Sequence, residues 1–306
     1  MQVEQELAQA APQKDTLLTI GVFDGIHLGH RHLLGELVSK AKAAGLLSGV
    51  VTFNKHPQLV LQPQAALPSL VSLEERVRLI KSLGVDLVSV LTFTPELAKL
   101  DARQFATLLR QHLKMRGLVV GPDFALGQKR QGNVDFLKRL GQELGFSVDV
   151  VMPKWVNGDM VSSTAIRQSL AQGDLAKVQR LLGRPFSLEA EVVSGDERGR
   201  SLGFPTANLG YSEGQALPKD GVYAARVRFN GDAHPAVLNI GVRPTFGGQK
   251  RTVEVYVLDF QGDLYHKTMR VEMTERLRDE RKFAGADELT AQIAQDVARA
   301  RAALGK

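Results

Sequence analysis

The 306-residue chain contains no cysteine, only 6 % aromatic residues and no uninterrupted apolar run of about 18 residues. The missing cysteines exclude disulfides, thiolate metal sites and cysteine nucleophiles. Nothing in the sequence supports a membrane span, and residues 1–15 lack the apolar centre of a secretory signal. Four tyrosines and one tryptophan leave few rings for stacking on nucleic-acid bases. We therefore expect a cytoplasmic protein that partners neither a membrane nor a nucleic acid.

The remaining composition is that of a globular protein of about two domains, with 43 % hydrophobic and 24 % charged residues. A net charge of +6 and a pI near 9.5 indicate an anionic ligand. Residues 1–185 hold 22 Lys and Arg against 16 Asp and Glu, whereas residues 186–306 hold 17 of each. The whole positive excess therefore belongs to the first part of the chain.

The first part alternates short apolar runs with segments of helical period. This alternation predicts a parallel sheet covered by helices on both faces, with ligands bound at the carboxyl ends of the strands. The expected strands are residues 16–23, 47–53, 86–93, 118–121 and 147–152, and the expected helices include 29–44, 72–83 and 101–113.

Beyond residue 185 the helical period gives way to alternating strands, with turn sequences at 230–231 and 261–263. Five or six antiparallel strands at this spacing predict a small barrel, followed by an amphipathic helix over residues 287–304 that packs through Leu289, Ile293, Val297 and Ala300. The expected organisation is a mobile segment at 1–15, one domain at 16–185 and a second at 186–306. The expected barrel strands include 187–193, 222–229, 233–240, 252–260 and 264–273.

The first expected strand runs directly into the sequence GVFDGIHLGH, residues 21–30. His27 and His30 lie three residues apart at an expected helix start, so both rings can face one point beside the free N–H groups of the helix. This arrangement favours a bound phosphate chain. Two alternatives stay open, namely a pair of structural histidines and a metal site formed together with His56.

A second pattern that favours phosphate, VSSTAIR, occupies residues 161–167. Ser162, Ser163 and Thr164 place three hydroxyls at a helix start, and Arg167 follows one turn after Thr164. Hydroxyls, free N–H groups and a guanidinium can together hold a pyrophosphate. An ordinary helix N-cap is the alternative when the segment is considered alone.

The second part opens with a glycine-rich stretch, GDERGRSLGFPTAN, at residues 195–208. Its glycines recur every fourth residue, so the backbone can approach a triphosphate, with Arg198 and Arg200 as candidate partners. Thr206 and Asn208 alternate on extended backbone after Pro205, and their oxygens suit Mg²⁺ beside the phosphates of ATP. A glycine-rich β-turn with an Asx-type cap is the alternative.

These strings resemble two enzyme families joined in one chain. HxGH followed by SSTxxR resembles the nucleotidyltransferase superfamily, and the strings VVTFNKHP (50–57) and GPDFALGQKRQGN (121–133) are similar to its FMN adenylyltransferase branch. LGFPTAN resembles riboflavin kinase, as do PKDGVYAARV (218–227), NIGVRPTFGG (239–248) and LRDERKF (277–283). Over roughly residues 16–304 the chain looks like a prokaryotic bifunctional riboflavin kinase/FAD synthetase.

The resemblance implies an N-terminal Rossmann-like nucleotidyltransferase domain with a parallel sheet and a C-terminal six-stranded antiparallel β-barrel with a C-terminal helix. It implies riboflavin, FMN, FAD, ATP and Mg²⁺ as ligands. In the first domain it implies catalytic roles for His27 and His30, ATP or pyrophosphate binding by Gly21, Phe23, Asp24, Gly25, Ser162, Ser163, Thr164 and Arg167, and flavin binding by Phe53, His56, Asp123, Phe124 and Arg130. In the second it implies Glu254 as general base, ATP binding by Gly195, Arg200, Gly203 and Pro205, metal binding by Thr206 and Asn208, and flavin binding by Arg278 and Phe283.

The sequence departs from the usual family pattern at Asn54-Lys55 and at His266, which stands where a glycine is common. Three other functions stay open at this point: a monofunctional kinase with an inactive first domain, a basic nucleic-acid-binding protein, and a nucleotidyltransferase for a different substrate. We expect a monomer or a weak homo-oligomer.

Overall fold

The computed structural model describes residues 1–194, 203–212, 214–245 and 248–305. The chain divides into two compact units, Met1–Ser163 and Thr164–Lys306. This boundary lies earlier than the expected one at residue 185. The short helix Leu175–Leu182 is grouped with the second unit because it packs against the strands Phe186–Val193 and Thr268–Arg278.

The first unit is built on a five-stranded sheet in the order β3-β2-β1-β4-β7, in which every neighbouring pair is parallel. The carboxyl ends of all five strands therefore meet at one edge, as the alternating sequence predicted. Two small hairpins, β5–β6 and β8–β9, lie in the connections. The strands are β1 (Thr16–Ile20), β2 (Leu47–Phe53), β3 (Leu87–Leu91), β4 (Met115–Val120), β5 (Ala125–Leu126), β6 (Gly132–Asn133), β7 (Ser147–Val150), β8 (Trp155–Val156) and β9 (Asp159–Met160).

The first unit has seven helices, of which α1 precedes β1 and the other six lie in the connections between the strands. Two apolar cores are formed, one containing Leu109 and Leu140 and the other containing Leu34, Leu37 and Ile80. Ser72 and Asp101 are the N-caps of two expected helices, and each side chain accepts a bond from the backbone N–H three residues later. The helices are α1 (Gln2–Gln9), α2 (Leu28–Ala43), α3 (Pro57–Leu61), α4 (Leu73–Ser82), α5 (Pro95–Lys99), α6 (Ala102–Leu113) and α7 (Val134–Leu144).

The structure differs from the expectation of a mobile segment at residues 1–15. Helix α1 packs on the first unit, with Val3 4 % and Leu7 0 % exposed in the same core as Leu109. The carboxylate of Glu6 accepts a 2.8 Å bond from the N–H of Thr92. Val3 and Leu7 lie four residues apart, so they form one apolar face of a single short helix.

The second unit is a closed six-stranded barrel in the order β10-β11-β14-β13-β12-β15, with antiparallel neighbours, which confirms the predicted barrel. The turn at Asn230-Gly231 is also confirmed, because both residues have the positive φ that it requires. The strands are β10 (Phe186–Val193), β11 (Ala207–Gly210), β12 (Gly221–Phe229), β13 (Asp232–Thr245), β14 (Gly248–Val257) and β15 (Thr268–Arg278), and the helices are α8 (Ser163–Gln172), α9 (Leu175–Leu182) and α10 (Ala286–Ala303).

Helix α10 packs on the outside of the barrel. Val297 and Ala300 join an apolar cluster that also contains Val222 and Leu258 of the barrel. This is the face predicted from the helical period. Among the residues that the structure describes, no helix is both long and apolar enough to cross a membrane.

Candidate active sites

The loop after β1 is an unusually constrained turn. Phe23, Gly25 and Ile26 all have positive φ, at 53°, 84° and 39°, a region that side chains other than glycine rarely adopt. Asp24 is 5 % exposed, and its carboxylate accepts bonds from the N–H groups of Leu70, at 2.9 and 3.0 Å, and of Val71, at 3.4 Å. The side chain of Asp24 therefore ties the turn to residues 70–71. Strain of this kind is characteristic of functional loops.

The two histidines of the first motif lie against each other at the start of α2. His27 is the N-cap, and its Nδ1 accepts a 3.1 Å bond from the N–H of His30. The rings stack with centroids 3.6 Å apart, and the ring of Phe23 meets His30 edge-on. Because Nδ1 of His27 is an acceptor, its neutral ring carries the proton on Nε2, which is then a donor.

The ring of His30 is neutral at pH 7. Burial lowers the pKa of His30 well below its usual 6.5, and the nearby His27 and Arg76 lower it further. A neutral imidazole beside a phosphate acts as a directed hydrogen-bond donor rather than as a fixed cation.

The second motif meets the first through Ser163. The Oγ of Ser163 donates a 2.8 Å bond to the backbone oxygen of Asp24. A Cβ added to Gly29 would lie 3.1 Å from the His27 ring and 3.3 Å from the oxygen of Val161, so glycine permits the close approach of α2 to this segment. Helix α8 begins at Ser163, and it carries Thr164 in its first turn and Arg167 one turn later; Ser162 immediately precedes it.

The expected flavin residues of the first unit lie at the end of β2, just after it, and in the connection between β4 and α7. Phe53 is buried and packs edge-on against Phe93, with centroids 5.5 Å apart. The Nη2 of Arg130 donates a 2.8 Å bond to the backbone oxygen of Asp123, so these two candidates are brought together. Phe124 packs against the core. Gly21 adjoins the ring of Phe23, which a Cβ at Gly21 would approach to 3.1 Å.

A histidine metal site finds no support among the described residues. They contain no group of three or more His, Cys, Asp or Glu side chains placed to hold a metal ion. His56 is the N-cap of α3, where its Nδ1 accepts the N–H of Gln58 at 3.1 Å. The Nδ1 atoms of His27 and His56 therefore both serve as helix caps.

The second unit holds a cavity of about 310 Å³ lined by barrel strands and α10. Glu254 of β14 lines it and pairs across the ladder with Asn208 of β11 and Asn239 of β13. The Oγ1 of Thr206 donates to the Glu254 carboxylate at 3.5 Å, while the neighbouring Val255 is buried inside the barrel. A hydroxyl, two amides and one carboxylate supply the hard oxygen ligands that Mg²⁺ prefers. A single carboxylate is enough for Mg²⁺, because this ion keeps water and phosphate oxygens among its ligands.

The lining of this cavity also contains an ion pair. Nε of Arg278 bonds both oxygens of Asp296 at 3.0 Å, and Nη2 adds a 2.8 Å bond. The guanidinium lies 5.6 Å from the ring centroid of Phe283. Arg278 and Phe283 are thus brought together, and their expected role in binding a flavin stays a prediction.

Sequence reasoning missed Asn239 and Asp296 as cavity residues. Asp296 follows Leu289 by seven residues and Ile293 by three, so it falls on the apolar face that was assigned to α10. A carboxylate on such a face is the signal that could have identified it. Asn239 has no comparable signal, because only the pairing of β13 with β14 places it opposite Glu254.

The loop that leads into β11 is described only in part. Gly203 has a φ of 83°, Pro205 is exposed, and the ring of Phe204 meets Tyr256 edge-on at 5.5 Å. Gly195, Arg198 and Arg200 lie outside the described residues, so their expected role in binding ATP stays a prediction.

Two residues at which the sequence departs from the usual family pattern, His266 and Asn54, make side-chain contacts with nearby residues. His266 has a φ of 60°, the backbone region in which glycine is favoured, and its Nδ1 lies 3.0 Å from a carboxylate oxygen of Glu191. The amide nitrogen of Asn54 donates to Oγ1 of Thr92 at 3.4 Å.

Replacing Asp296 with asparagine should destabilise the second unit. Asp296 is 1 % exposed, and the change would leave the Arg278 guanidinium partly buried without its carboxylate. Breaking a buried ion pair costs about 3 to 5 kcal/mol, and we expect the lower end because Arg278 retains some exposure. Urea unfolding of Asp296→Asn measures the loss. The exposed Asp263→Asn, which keeps its acceptor for the N–H of Tyr265, is the control; equal stabilities of the two variants would contradict the prediction.

Comparison with known proteins assigns a family to each part of the chain. Residues 9–165 match the family model for FAD synthetase, and residues 182–304 match the model for riboflavin kinase. A solved structure described as a macrolide-efflux protein from Streptococcus pneumoniae has a TM-score of 0.89 and 30 % identity, covering 98 % of this chain and 97 % of its own. That description belongs to the other protein, whereas both family models name flavin enzymes.

Curated relatives extend over nearly the full length. A bifunctional riboflavin kinase/FMN adenylyltransferase of Escherichia coli K12 is 41 % identical over 297 residues, which cover 96 % of this chain and 95 % of the relative. The enzyme of the same description from Pseudomonas fluorescens is 39 % identical and covers 99 % and 97 %. The chain belongs to the bifunctional riboflavin kinase/FMN adenylyltransferase family.

Proposed function

We propose that the chain converts riboflavin to FMN in the second unit and FMN to FAD in the first, using ATP in both steps. The observation that carries this proposal is that each unit has its own polar constellation: Glu254 between Asn208 and Asn239, and the histidine pair beside Ser163. The two-family match supports the pairing of the activities.

In the kinase step, Glu254 would accept the proton of the ribityl 5′-hydroxyl. The hydroxyl oxygen then forms a bond to the γ-phosphorus of ATP as the bond from that phosphorus to the β,γ-bridging oxygen breaks, and ADP leaves. Thr206 and Asn208 would hold Mg²⁺, which neutralises phosphate charge when it is bound. Arg278 and Phe283, which line the same cavity, would fix the flat flavin ring.

In the adenylyl step, a phosphate oxygen of FMN attacks the α-phosphorus of a second ATP. The bond from that phosphorus to the α,β-bridging oxygen breaks, and pyrophosphate leaves. His27 and His30 would donate hydrogen bonds to the phosphate oxygens as charge builds, and Ser162, Ser163, Thr164 and Arg167 would hold the pyrophosphate. No nucleophile from the protein is required, so positioning does most of the catalysis.

The direct test is to incubate the purified chain with riboflavin, ATP and Mg²⁺ and to separate the flavins over time. We expect FMN first and then FAD, with both reactions stopping when the cation is chelated. FMN that never advances to FAD would identify a monofunctional kinase. FAD formation from supplied FMN without any kinase activity would contradict the assignment of riboflavin phosphorylation to the second unit. Cytoplasmic location, a monomer or weak homo-oligomer and the absence of a nucleic-acid partner stay predictions.

The lowered pKa of His30 predicts the pH dependence of FAD synthesis. An imidazole is charged below its pKa, so His30 remains neutral as the pH falls to about 6.5. The kcat/KM profiles for ATP of the wild type and of His30→Gln should therefore run parallel between pH about 8 and about 6.5 and diverge only below that range. An inflection within that range that only the wild type shows would contradict a neutral His30.

A further inference from the structure

We infer that Arg76 of α4 is a positioning residue for adenylyl transfer, because it joins the loop that follows β1, which leads to the histidine pair, to the carboxyl end of β2. This inference rests on the proposed FMN adenylyltransferase activity of the first unit. Arg76 does not belong to either phosphate motif, and it acts through other residues of the site.

The guanidinium of Arg76 is held inside the first unit. Arg76 is 4 % exposed, and its Nη1 donates to the backbone oxygens of Val22 at 2.7 Å and Phe53 at 2.9 Å and to Oγ1 of Thr52 at 3.3 Å. Thr52 in turn donates from Oγ1 to the oxygen of Val22 at 3.1 Å. One nitrogen thus connects the loop after β1 with the end of β2 at the carboxyl edge of the sheet.

The acceptors lie where the two central strands separate. The ladder between β1 and β2 continues as far as the bond from the N–H of Gly21 to the oxygen of Val51 at 3.0 Å. One residue beyond Gly21, the oxygen of Val22 points to Arg76 instead. This carbonyl accepts from Arg76 and from Oγ1 of Thr52, so these two side chains take the place of the sheet ladder at this point. Arg76 fixes the base of the turn that carries His27.

Arg76 also lies within electrostatic reach of the reacting groups. After burial, the charges of His27 and Arg76 lower the pKa of His30. Burial lowers the pKa of Arg76 itself, while the carboxylates of Asp24 and Glu74 raise it. Nε of Arg76 and Nδ1 of His30 are both buried, and neither has a hydrogen-bond partner among the described residues. A cation held in a buried site acts more strongly on a nearby phosphate than one in water does.

Because all three of these bonds come from Nη1 of Arg76, the contacts predict which substitutions of Arg76 are tolerated. A lysine ammonium has three N–H donors and can serve the same three acceptors, whereas methionine has similar length but no donor or charge. A merely structural residue would lower stability without selectively lowering kcat. A positioning residue lowers kcat of adenylyl transfer and is rescued by lysine.

The experiment compares Arg76→Met, Arg76→Lys and the control Lys81→Met, which removes an exposed cation from the same helix. FMN adenylylation and riboflavin phosphorylation are measured on the same full-length preparations, with urea unfolding as the check of folding. We expect kcat of adenylylation to fall about 100-fold in Arg76→Met, the loss that a displacement of about 1 Å produces. Arg76→Lys should remain within about tenfold of the wild type, since it keeps the charge and the donors. Lys81→Met should match the wild type, and all three variants should retain kinase activity.

A folded Arg76→Met with kcat near that of the wild type overturns the inference, as does a lysine variant that is impaired as strongly as the methionine variant. If Arg76→Met does not fold, the variant Thr52→Val tests the inference in its place. This variant removes the hydroxyl that accepts from Arg76 and donates to Val22, while the charge of Arg76 is kept. An unchanged kcat of adenylylation would overturn the inference. Failure of the proposed function is distinguishable, because the wild type itself would then make no FAD.

Discussion

Glu254→Gln abolishes the phosphorylation of riboflavin while supplied FMN is still converted to FAD. Glutamine keeps the size of the side chain but cannot accept the proton of the 5′-hydroxyl, and loss of a general base costs about 100- to 10,000-fold in rate. The side chain lies on the outer face of β14, with the neighbouring Val253 and Val255 buried inside the barrel. The change therefore leaves the barrel core intact. Initial rates of FMN formation from riboflavin and of FAD formation from FMN measure the two effects separately.

The matched control is Glu189→Gln, an exposed carboxylate on strand β10 of the same barrel. It should leave both rates unchanged. If Glu254→Gln folded normally and kept its kinase rate within about tenfold of the wild type, Glu254 would not be the base. If it abolished both reactions, the assignment of one activity to each unit would fail.

The fold could be predicted where residues close in sequence determine the structure. The alternation in residues 16–152 predicted the five parallel strands, and the bounds of β2 were predicted to the residue. Helix α1 was missed because its apolar face consists of two residues, Val3 and Leu7, whose partners are distant in the chain. Strand β11 has four residues after a glycine-rich loop and was not predicted as a strand. Its pairing with β10 and β14 stabilises it.

In the candidate sites, too, the features set by residues close in sequence could be predicted and those set by distant contacts could not. The turn around His27 and the place of Ser163 at the start of α8 follow from local spacing. Contacts that depend on strand register or on a distant helix could not be predicted, because no local pattern specifies them. The pairing of Asn239 with Glu254 and the bond from Arg76 to the oxygen of Val22 are such cases.

His30→Ala should have the opposite selectivity to Glu254→Gln, with loss of FAD synthesis and retention of the kinase. The ring of His30 stacks on His27 and is neutral, so alanine removes both a donor and the support of the neighbouring ring. Loss of a preorganised donor at a developing charge costs about 100- to 1,000-fold in kcat. His32→Ala, an exposed histidine on the same helix, is the matched control and should behave as the wild type.

His30→Gln separates hydrogen bonding from charge. A glutamine amide can donate a bond near the position of Nε2 but never becomes a cation, so it should retain clearly more FAD synthesis than His30→Ala at pH about 7.5. Equal loss in both variants would indicate that the reaction requires a protonated ring, formed when ATP binds. Because burial, His27 and Arg76 all disfavour that protonation in the free chain, the negative triphosphate would then have to supply the opposing field. The comparison of these two variants therefore establishes whether the histidine pair acts as hydrogen-bond donors or as cations.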